Sequence, residues 1–403
     1  MRAAPDDHAS APRGLGEIAR AFLKLGCISF GGPVAHLGYL HDEFVRRRHW
    51  LSEERYSDLV ALCQFLPGPA SSQVVFALGM HRGGLAGAFV ASLCFTLPSA
   101  VLMIAFAYGV ATIGDLRDAG WLHGLKLAAV AVVAQAVWAM GSRLCPDARR
   151  IVLALAAAAA LVIAPGAAAQ VAVIAAGAVF GWLMYRKQVT TASTPPAGLA
   201  KRHASAAAVI VSWICLLFVL PALSSATGAR GVAVFDSFYR AGSLVFGGGH
   251  VMLPLLRAEV VPIGWVSDDA FLAGYGAAQA LPGPLFTFAG YLGTLINGGP
   301  QPWLGGLLGL LAIFLPSWML VGGTLPFWHL LRSRAWMQAA MRGTNAAVVG
   351  VLLAALYHPV WTEGVTNARD VAAVVASLVL LQLCRAPAWL VVLLMAAAGQ
   401  WVL

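Results

Sequence analysis

One pattern is written twice in this chain. Phe22-Leu-Lys24-Leu-Gly26-Cys-Ile-Ser-Phe30-Gly31-Gly32 returns as Phe238-Tyr-Arg240-Ala-Gly242-Ser-Leu-Val-Phe246-Gly247-Gly248 at a shift of 216 residues, and Glu43 and Glu259 keep that shift. Trp50-Leu-Ser52 then meets Trp265-Val-Ser267, and Gln64-Phe-Leu66-Pro67-Gly68-Pro69 meets Gln279-Ala-Leu281-Pro282-Gly283-Pro284, both at 215. Leu97-Pro98-Ser99 meets Leu315-Pro316-Ser317 at 218. Small drifts of shift are small loop insertions, so any fold must build one plan twice. Residues 1–16 read as a tail, 17–186 as the first repeat, 187–203 as a polar linker containing Pro195-Pro196, and 204–403 as an extra span over 204–226 followed by the second repeat.

The medium of that fold is a bilayer. Of 403 residues 60% are hydrophobic and 11% charged, and runs such as 84–110, 151–185, 204–223 and 303–327 meet the ~20 residues that cross a hydrocarbon core. Met1 to Gly16 is polar and has no h-region with a cleavage site, which predicts a cytosolic tail. The six cysteines, at 27, 63, 94, 145, 215 and 384, form no CxxC pair, which argues against a disulfide framework or a zinc site. The net charge of +9 is dispersed at the ends of apolar segments. It reads as orientation bias in the membrane and not as a nucleic-acid surface.

Charge also decides whether the repeats run parallel or inverted. Arg46, Arg47 and Arg48 follow the first Gly-Gly break, whereas residues 262–269 hold no Lys or Arg; conversely Arg117 lies between two acids while its counterpart loop carries Arg332 and Arg334. The signs swap, which predicts opposite orientations in the cytoplasmic membrane. The N-terminus, 46–55, 81–82, 143–150 and 186–202 would face the cytosol, and 111–120, the Pro165 turn, 222–230 and the C-terminus the outside. Each Phe-Gly-Gly and each Leu-Pro-Gly-Pro segment must then enter and leave on one side. The predicted fold is an all-α polytopic membrane protein of two inverted-topology repeats, with about nine full spans plus four re-entrant helical hairpins. Full crossing by each half-helix, giving about 13 spans, is the competing arrangement.

Broken backbone inside a bilayer is tolerated only where protein or a wet cavity shields it, so four breaks imply a central polar site. Half-helices beginning at Pro33, Ala70, Gly249 and Leu285 would aim unpaired N–H groups and positive dipole ends inward, which favours an anion. Gly31, Gly32, Gly247 and Gly248 supply the turns, as do Pro67, Gly68, Pro69, Pro282, Gly283 and Pro284. Gln64 and Gln279 add amide donors, and Ser71, Ser72 and Thr287 add hydroxyls. Lys24 and Arg240 share one repeat position in apolar sequence, where a cation costs ~2.5 kcal/mol or more at the bilayer centre unless solvated, paired or used. They are predicted to bind or gate the substrate, against snorkelling to the interface; Arg20 and Arg82 are further candidates that also mark the cytosolic side. Glu43 and Glu259 are read as proton carriers or gates, or as salt-bridge partners of nearby arginines. Pro98 and Pro316 read as kinks, and Cys27 and Cys63 are expected to face the cavity. His36, His41 and His49 lack the spacing of a metal site. No nucleophile elbow, P-loop or dinucleotide fingerprint occurs, so neither an enzyme nor a cofactor is expected.

Phe30-Gly-Gly-Pro33, Trp50-Leu-Ser52, Leu66-Pro-Gly-Pro69 and Leu97-Pro-Ser99, with Phe246-Gly-Gly-Gly249, Leu281-Pro-Gly-Pro284 and Leu315-Pro-Ser317, resemble the chromate ion transporter (CHR) family in its long, two-half form, from about residue 17 to 403. Gly249 stands where the first half has Pro33, and Ala-Ser-Ser follows one Pro-Gly-Pro where Leu-Phe-Thr follows the other, so the two sides of the site are chemically unequal. The resemblance implies export of chromate across the cytoplasmic membrane, conferring resistance. The expected partners are chromate- or sulfate-like anions and the lipid bilayer, with a homodimer left open. A sulfate or other oxyanion transporter and an anion channel are the alternatives.

Overall fold

The structure is a computed structural model that describes residues 14–112, 120–186, 203–246, 249–297, 300–328 and 334–401. The described residues are helical without strands, and the helices come in one order twice. The first series is α1 Leu15–Ile28, α2 Gly32–His41 with a π-helical turn Asp42–Arg47, α3 Glu53–Phe65, α4 Ala70–Thr112, α5 Gly120–Leu144, α6 Ala148–Ile163 and α7 Ala167–Tyr185. After α8, His203–Thr227, come α9 Arg230–Leu244, α10 Met252–Val260, α11 Asp268–Ala280, α12 Phe288–Asn297, α13 Pro302–Thr324, α14 Ala335–Ala355, α15 Ala368–Gln382 and α16 Ala388–Trp401. The expected linker, apart from His203, and most of the 111–120 loop lie outside the described residues, as do Gly247, Gly248 and Arg332.

Local chemistry explains the recurrence. The Trp-x-Ser motifs are helix starts: Ser52 Oγ accepts from the Arg55 N–H and Ser267 Oγ from the Ala270 N–H, capping α3 and α11. Gly31, at φ 95°, turns the chain in the left-handed region that side chains avoid. The 43-residue α4 is two helices that fold back on each other at Gly83–Gly84, with the Phe76 and Phe89 rings 5.5 Å apart, and its counterparts in the second series are the separate α12 and α13. The broken segments fold back as hairpins. Lys24 lies 3.7 Å from Glu43, and the Phe22 and Phe44 rings are 4.7 Å apart, so the chain after α2 returns along α1. Arg240 reaches Glu259 at 2.8 Å in the equivalent pair, and the Tyr291 hydroxyl donates to the Ala270 carbonyl across α11 and α12.

The two series interlock by exchange. α5 packs on α16 and α15, and its repeat partner α14 packs on α7 and α6. Small residues let these backbones meet: a Cβ on Gly124 would run into the Met395 carbonyl, and one on Gly343 into the Gly177 carbonyl. Close van der Waals contact of this kind drives helix association where lipid removes the hydrophobic incentive. Among the described residues six helices, α4, α5, α7, α8, α13 and the Ala335–Gly364 stretch containing α14, are long and apolar enough to cross a membrane. The other three of the expected nine spans, α6, α15 and α16, have 16, 15 and 14 residues. α8 is peripheral, with Phe218 and Val219 outward, whereas the broken helices hold the buried aromatics Phe22, Phe44, Tyr239, Tyr275 and Phe288.

Candidate anion site at the crossing of the breaks

The four breaks meet in pairs, each pair joining the two halves. The Gly68 N–H donates to the Val245 carbonyl at 2.6 Å, and the Gly283 N–H donates to the Ser29 carbonyl at 2.8 Å. Ser29 and Val245 share one repeat position, and Gly68 and Gly283 share another. Each Pro-Gly-Pro turn therefore satisfies the carbonyl that the other half's break leaves without a helical partner, as an apolar surrounding demands. Space is as tight as the bonding. A Cβ on Gly68 would lie 2.5 Å from Ser317 Oγ and 2.6 Å from Gln73 Nε2, and one on Gly283 would lie 2.6 Å from Ser99 Oγ. Pro98 and Pro316 lie inside α4 and α13, and the serine following each proline covers the other half's Pro-Gly-Pro glycine.

Against this crossing lies a cavity of about 530 Å³. Gly31, Gly32, Gly68 and Gly283 reach it with backbone, Ala70 and Leu285 at the starts of half-helices, and Gln64 and Gln279 with amides. α5 contributes Gln135 and Arg143, α14 contributes Asn345, and Gln382 and His250 complete the polar lining. Arg143 donates to Gln64 Oε1 at 3.3 Å. Since a guanidinium only donates, this contact fixes the Gln64 oxygen toward Arg143 and turns its NH₂ away. Gln279 Nε2 is buried with no acceptor, the Asn345 amide oxygen has no donor, and His250 Nδ1 lies 2.8 Å from the Tyr275 hydroxyl. Among the described residues no carboxylate lines the cavity, and Arg143 is the lysine or arginine in its wall. Amide donors, one guanidinium and the positive ends of half-helices make an environment for an anion. The volume falls among pockets of about 300–1,000 Å³ that hold much larger ligands, so a small anion would enter hydrated.

The other residues expected at the site lie behind this surface or away from it. Ser71 and Ser72 are buried, with Ser71 Oγ 3.4 Å from His36 Nδ1 and Ser72 Oγ unpartnered; Thr287 donates within its own turn to the Pro284 carbonyl. His36 Nε2 lies 3.0 Å from the Ser29 carbonyl, which already accepts from Gly283. Gln73 Nε2 donates to the Pro67 carbonyl at 2.7 Å, bracing the turn that Pro67 and Pro69 frame. Pro33 is the second residue of α2, and Gly249 opens a short 3₁₀ turn before α10. Cys63 lines the cavity, while Cys27 is exposed beside Leu23 and Ile28 on the outer face of α1.

Neither Lys24 nor Arg240 lines the cavity. Both are engaged with the repeat-related glutamates. Glu43 receives Lys24 at 3.7 Å, Arg47 at 3.1 Å and Arg48 at 2.7 Å, and Arg48 and Arg82 also reach Glu17. In the second half, Arg240 Nη2 is shared by Glu259 at 2.8 Å and Asp236 at 3.0 Å. Arg82 also stands over the Trp50 ring, 5.1 Å from its centroid. In the sequence Arg143 reads only as a marker of sidedness, and Gln135, Asn345 and Gln382 lie outside the repeated motifs. The available signal was an amide inside an otherwise apolar helix, which is expensive unless used.

The chromate transporter family profile matches the chain twice, over residues 16–182 and 232–400. The chromate transport protein of Pseudomonas aeruginosa is 29% identical over 347 residues, 85% of this chain and 80% of that protein. The probable chromate transport protein of Synechococcus elongatus is 26% identical over 87% of this chain and 85% of its own length, and the chromate transport protein of Cupriavidus metallidurans is 26% identical over 88% and 84%. No solved structure matches. A profile that recurs in both halves and covers most of the sequence, on a helical framework whose broken segments enclose an anion-favouring cavity, establishes that this chain belongs to the chromate transporter family.

Proposed function

We propose that the protein is a secondary active transporter that exports chromate across the cytoplasmic membrane and so confers resistance to it. The observation that carries this reading is the cavity at the crossed breaks, walled by amides and Arg143 and, among the described residues, without a lining carboxylate. Chromate is a tetrahedral dianion without hydrogens to donate, and a ring of donors suits it. The two halves are inverted, with the N-terminus in the cytosol and the C-terminus outside. In that frame Arg143, near the cytosolic end of α5, meets the anion as it enters. Export is energetically sound: two negative charges leaving an inside-negative cell gain ~4.6 kcal/mol per 100 mV, which sustains over three decades of concentration gradient. Donors of this type read charge and shape, which sulfate shares, so sulfate is the reading to separate from chromate.

The test is uptake of labelled chromate into everted membrane vesicles, with and without excess sulfate, and with the potential and the pH gradient collapsed separately. Energised uptake that excess chromate competes better than sulfate supports the proposal. Sulfate uptake in place of chromate moves the assignment to sulfate. Flux that follows the anion gradient alone and shows single-channel currents makes the protein a channel.

A further inference from the structure

Asp236, Arg240 and Glu259 form a charge cluster with one cation for two carboxylates. Both carboxylates accept from the same guanidinium nitrogen, Nη2, so their charges lie close together. Asp236 is 4% exposed, and its second oxygen, Oδ1, is buried with no donor; Arg240 Nε is also buried and unpartnered. Among the described residues of the elements packed here, no other charge settles the balance. From α10, Arg257 is held by Asp268 of α11 at 2.7 Å, and α9 adds Arg230 and Tyr239, whose hydroxyl donates to the Trp213 carbonyl. α8 brings His203, at its first position, and Cys215; α12 brings Tyr291, which donates to the Ala270 carbonyl; α13 brings no ionisable side chain. α7 and α14, packed on α10, bring Tyr185 and Arg342, which face each other.

Two like charges this close in a largely buried cluster repel, and one proton held by the pair removes the repulsion. We propose that Asp236 and Glu259 hold one exchangeable proton between them and that this proton is the ion exchanged for the exported anion. The inference rests on the export reading above. The proton adds to a carboxylate oxygen, takes the cluster from net −1 to neutral, and later leaves as the free ion. Arg240 positions the pair. The first half has nothing equivalent, because Arg20 stands at the position of Asp236 and Glu43 is surrounded by cations.

The test uses the full-length protein in liposomes that hold chromate and a pH-sensitive dye, at alkaline pH where chromate carries no proton of its own. Exchange of labelled for unlabelled chromate is measured alongside. Chromate leaving down its gradient should acidify the lumen of wild-type vesicles. Asp236→Asn and Glu259→Gln should each cut that acidification at least tenfold while labelled chromate exchange remains measurable, and the exposed Glu54→Gln should acidify as wild type. Wild-type efflux without acidification overturns the proposal even if neither variant folds, as does full acidification by both variants. Absence of chromate exchange in the wild type is a different result, since it removes the export reading itself.

Discussion

Around Glu43, Lys24, Arg47 and Arg48 converge on one carboxylate, whereas around Glu259 a single Arg240 serves two. The backbone places these clusters identically, across one hairpin in each half and at one repeat shift. What differs is the surroundings: residues 260–264, the counterpart of the segment with Arg47 and Arg48, hold no Lys or Arg, and Arg20 corresponds to Asp236. Duplication therefore kept the framework and let the charge drift in opposite directions at the two ends. One repeated scaffold thus carries two chemically different charge clusters.

The largest expected effects are those that treat the halves alike. Gly68→Val and Gly283→Val each force a side chain into left-handed backbone, at φ 121° and 101°, and into a serine of the other half. Strain of about 1–3 kcal/mol adds to the loss of a cross-half fit, so both variants should give little folded protein by size-exclusion chromatography in detergent. Tolerance of valine at one glycine alone would break the equivalence of the two crossings.

The next prediction separates the halves. Arg240→Ala leaves the buried Asp236 and the partly buried Glu259 without their cation, and removing one partner of a buried pair costs about 3–5 kcal/mol. Lys24 is half exposed, and Glu43 keeps Arg47 and Arg48 without it, so Lys24→Ala should cost no more than about 1 kcal/mol. Thermal unfolding in detergent, read as a midpoint shift, checks the pair. Equal shifts would mean that the charge difference has no energetic weight.

Arg143→Ala removes the cation in the cavity wall and frees Gln64 Oε1. Hydrogen bonds to charged groups contribute about 1.5–3 kcal/mol, so half-saturating chromate should rise roughly ten- to a hundredfold, with partial rescue by Arg143→Lys. Everted-vesicle uptake over a chromate series measures this. An unchanged concentration dependence would remove Arg143 from the path.

Much of this arrangement was legible because duplication makes a sequence its own alignment. The breaks at Gly31 and Gly32 and at the Pro-Gly-Pro turns stood out, since those residues have few other uses inside apolar helices. The crossing of the breaks was not legible. It is made by the N–H groups of Gly68 and Gly283 on backbone carbonyls, which leave no residue signature. Ser99 and Ser317 recur for their fit against those glycines, a reason that the neighbouring prolines hid. Lys24 and Arg240 drew a ligand role because a costly charge recurred, yet Glu43 and Glu259 recur at the same shift and pairing accounts for both. Cys27 faces outward beside Leu23 and Ile28 because spacing from a break does not tell which side of a half-helix meets the cavity.

The smallest expected effect concerns the two repeat-related glutamines. Gln279 Nε2 is buried in the cavity wall without an acceptor, while the Gln64 amide oxygen is held by exposed Arg143. An unpartnered buried donor is a cost to the empty protein that an anion relieves, and replacing such a group by an apolar one of similar shape is close to neutral or stabilising. Gln279→Leu should therefore unfold at the same temperature as wild type or higher, yet bind chromate more weakly by roughly two- to tenfold, the worth of one hydrogen bond of about 0.5–1.5 kcal/mol. Gln64→Leu should leave stability unchanged, because water can take over from its oxygen at Arg143. Raised thermal stability together with weakened chromate dependence in Gln279→Leu alone would identify Gln279 as a donor kept unsatisfied for the anion. A loss of stability in Gln279→Leu would make that amide a structural one, and would move the unequal chemistry of the two halves out of the cavity and into the Glu43 and Glu259 clusters.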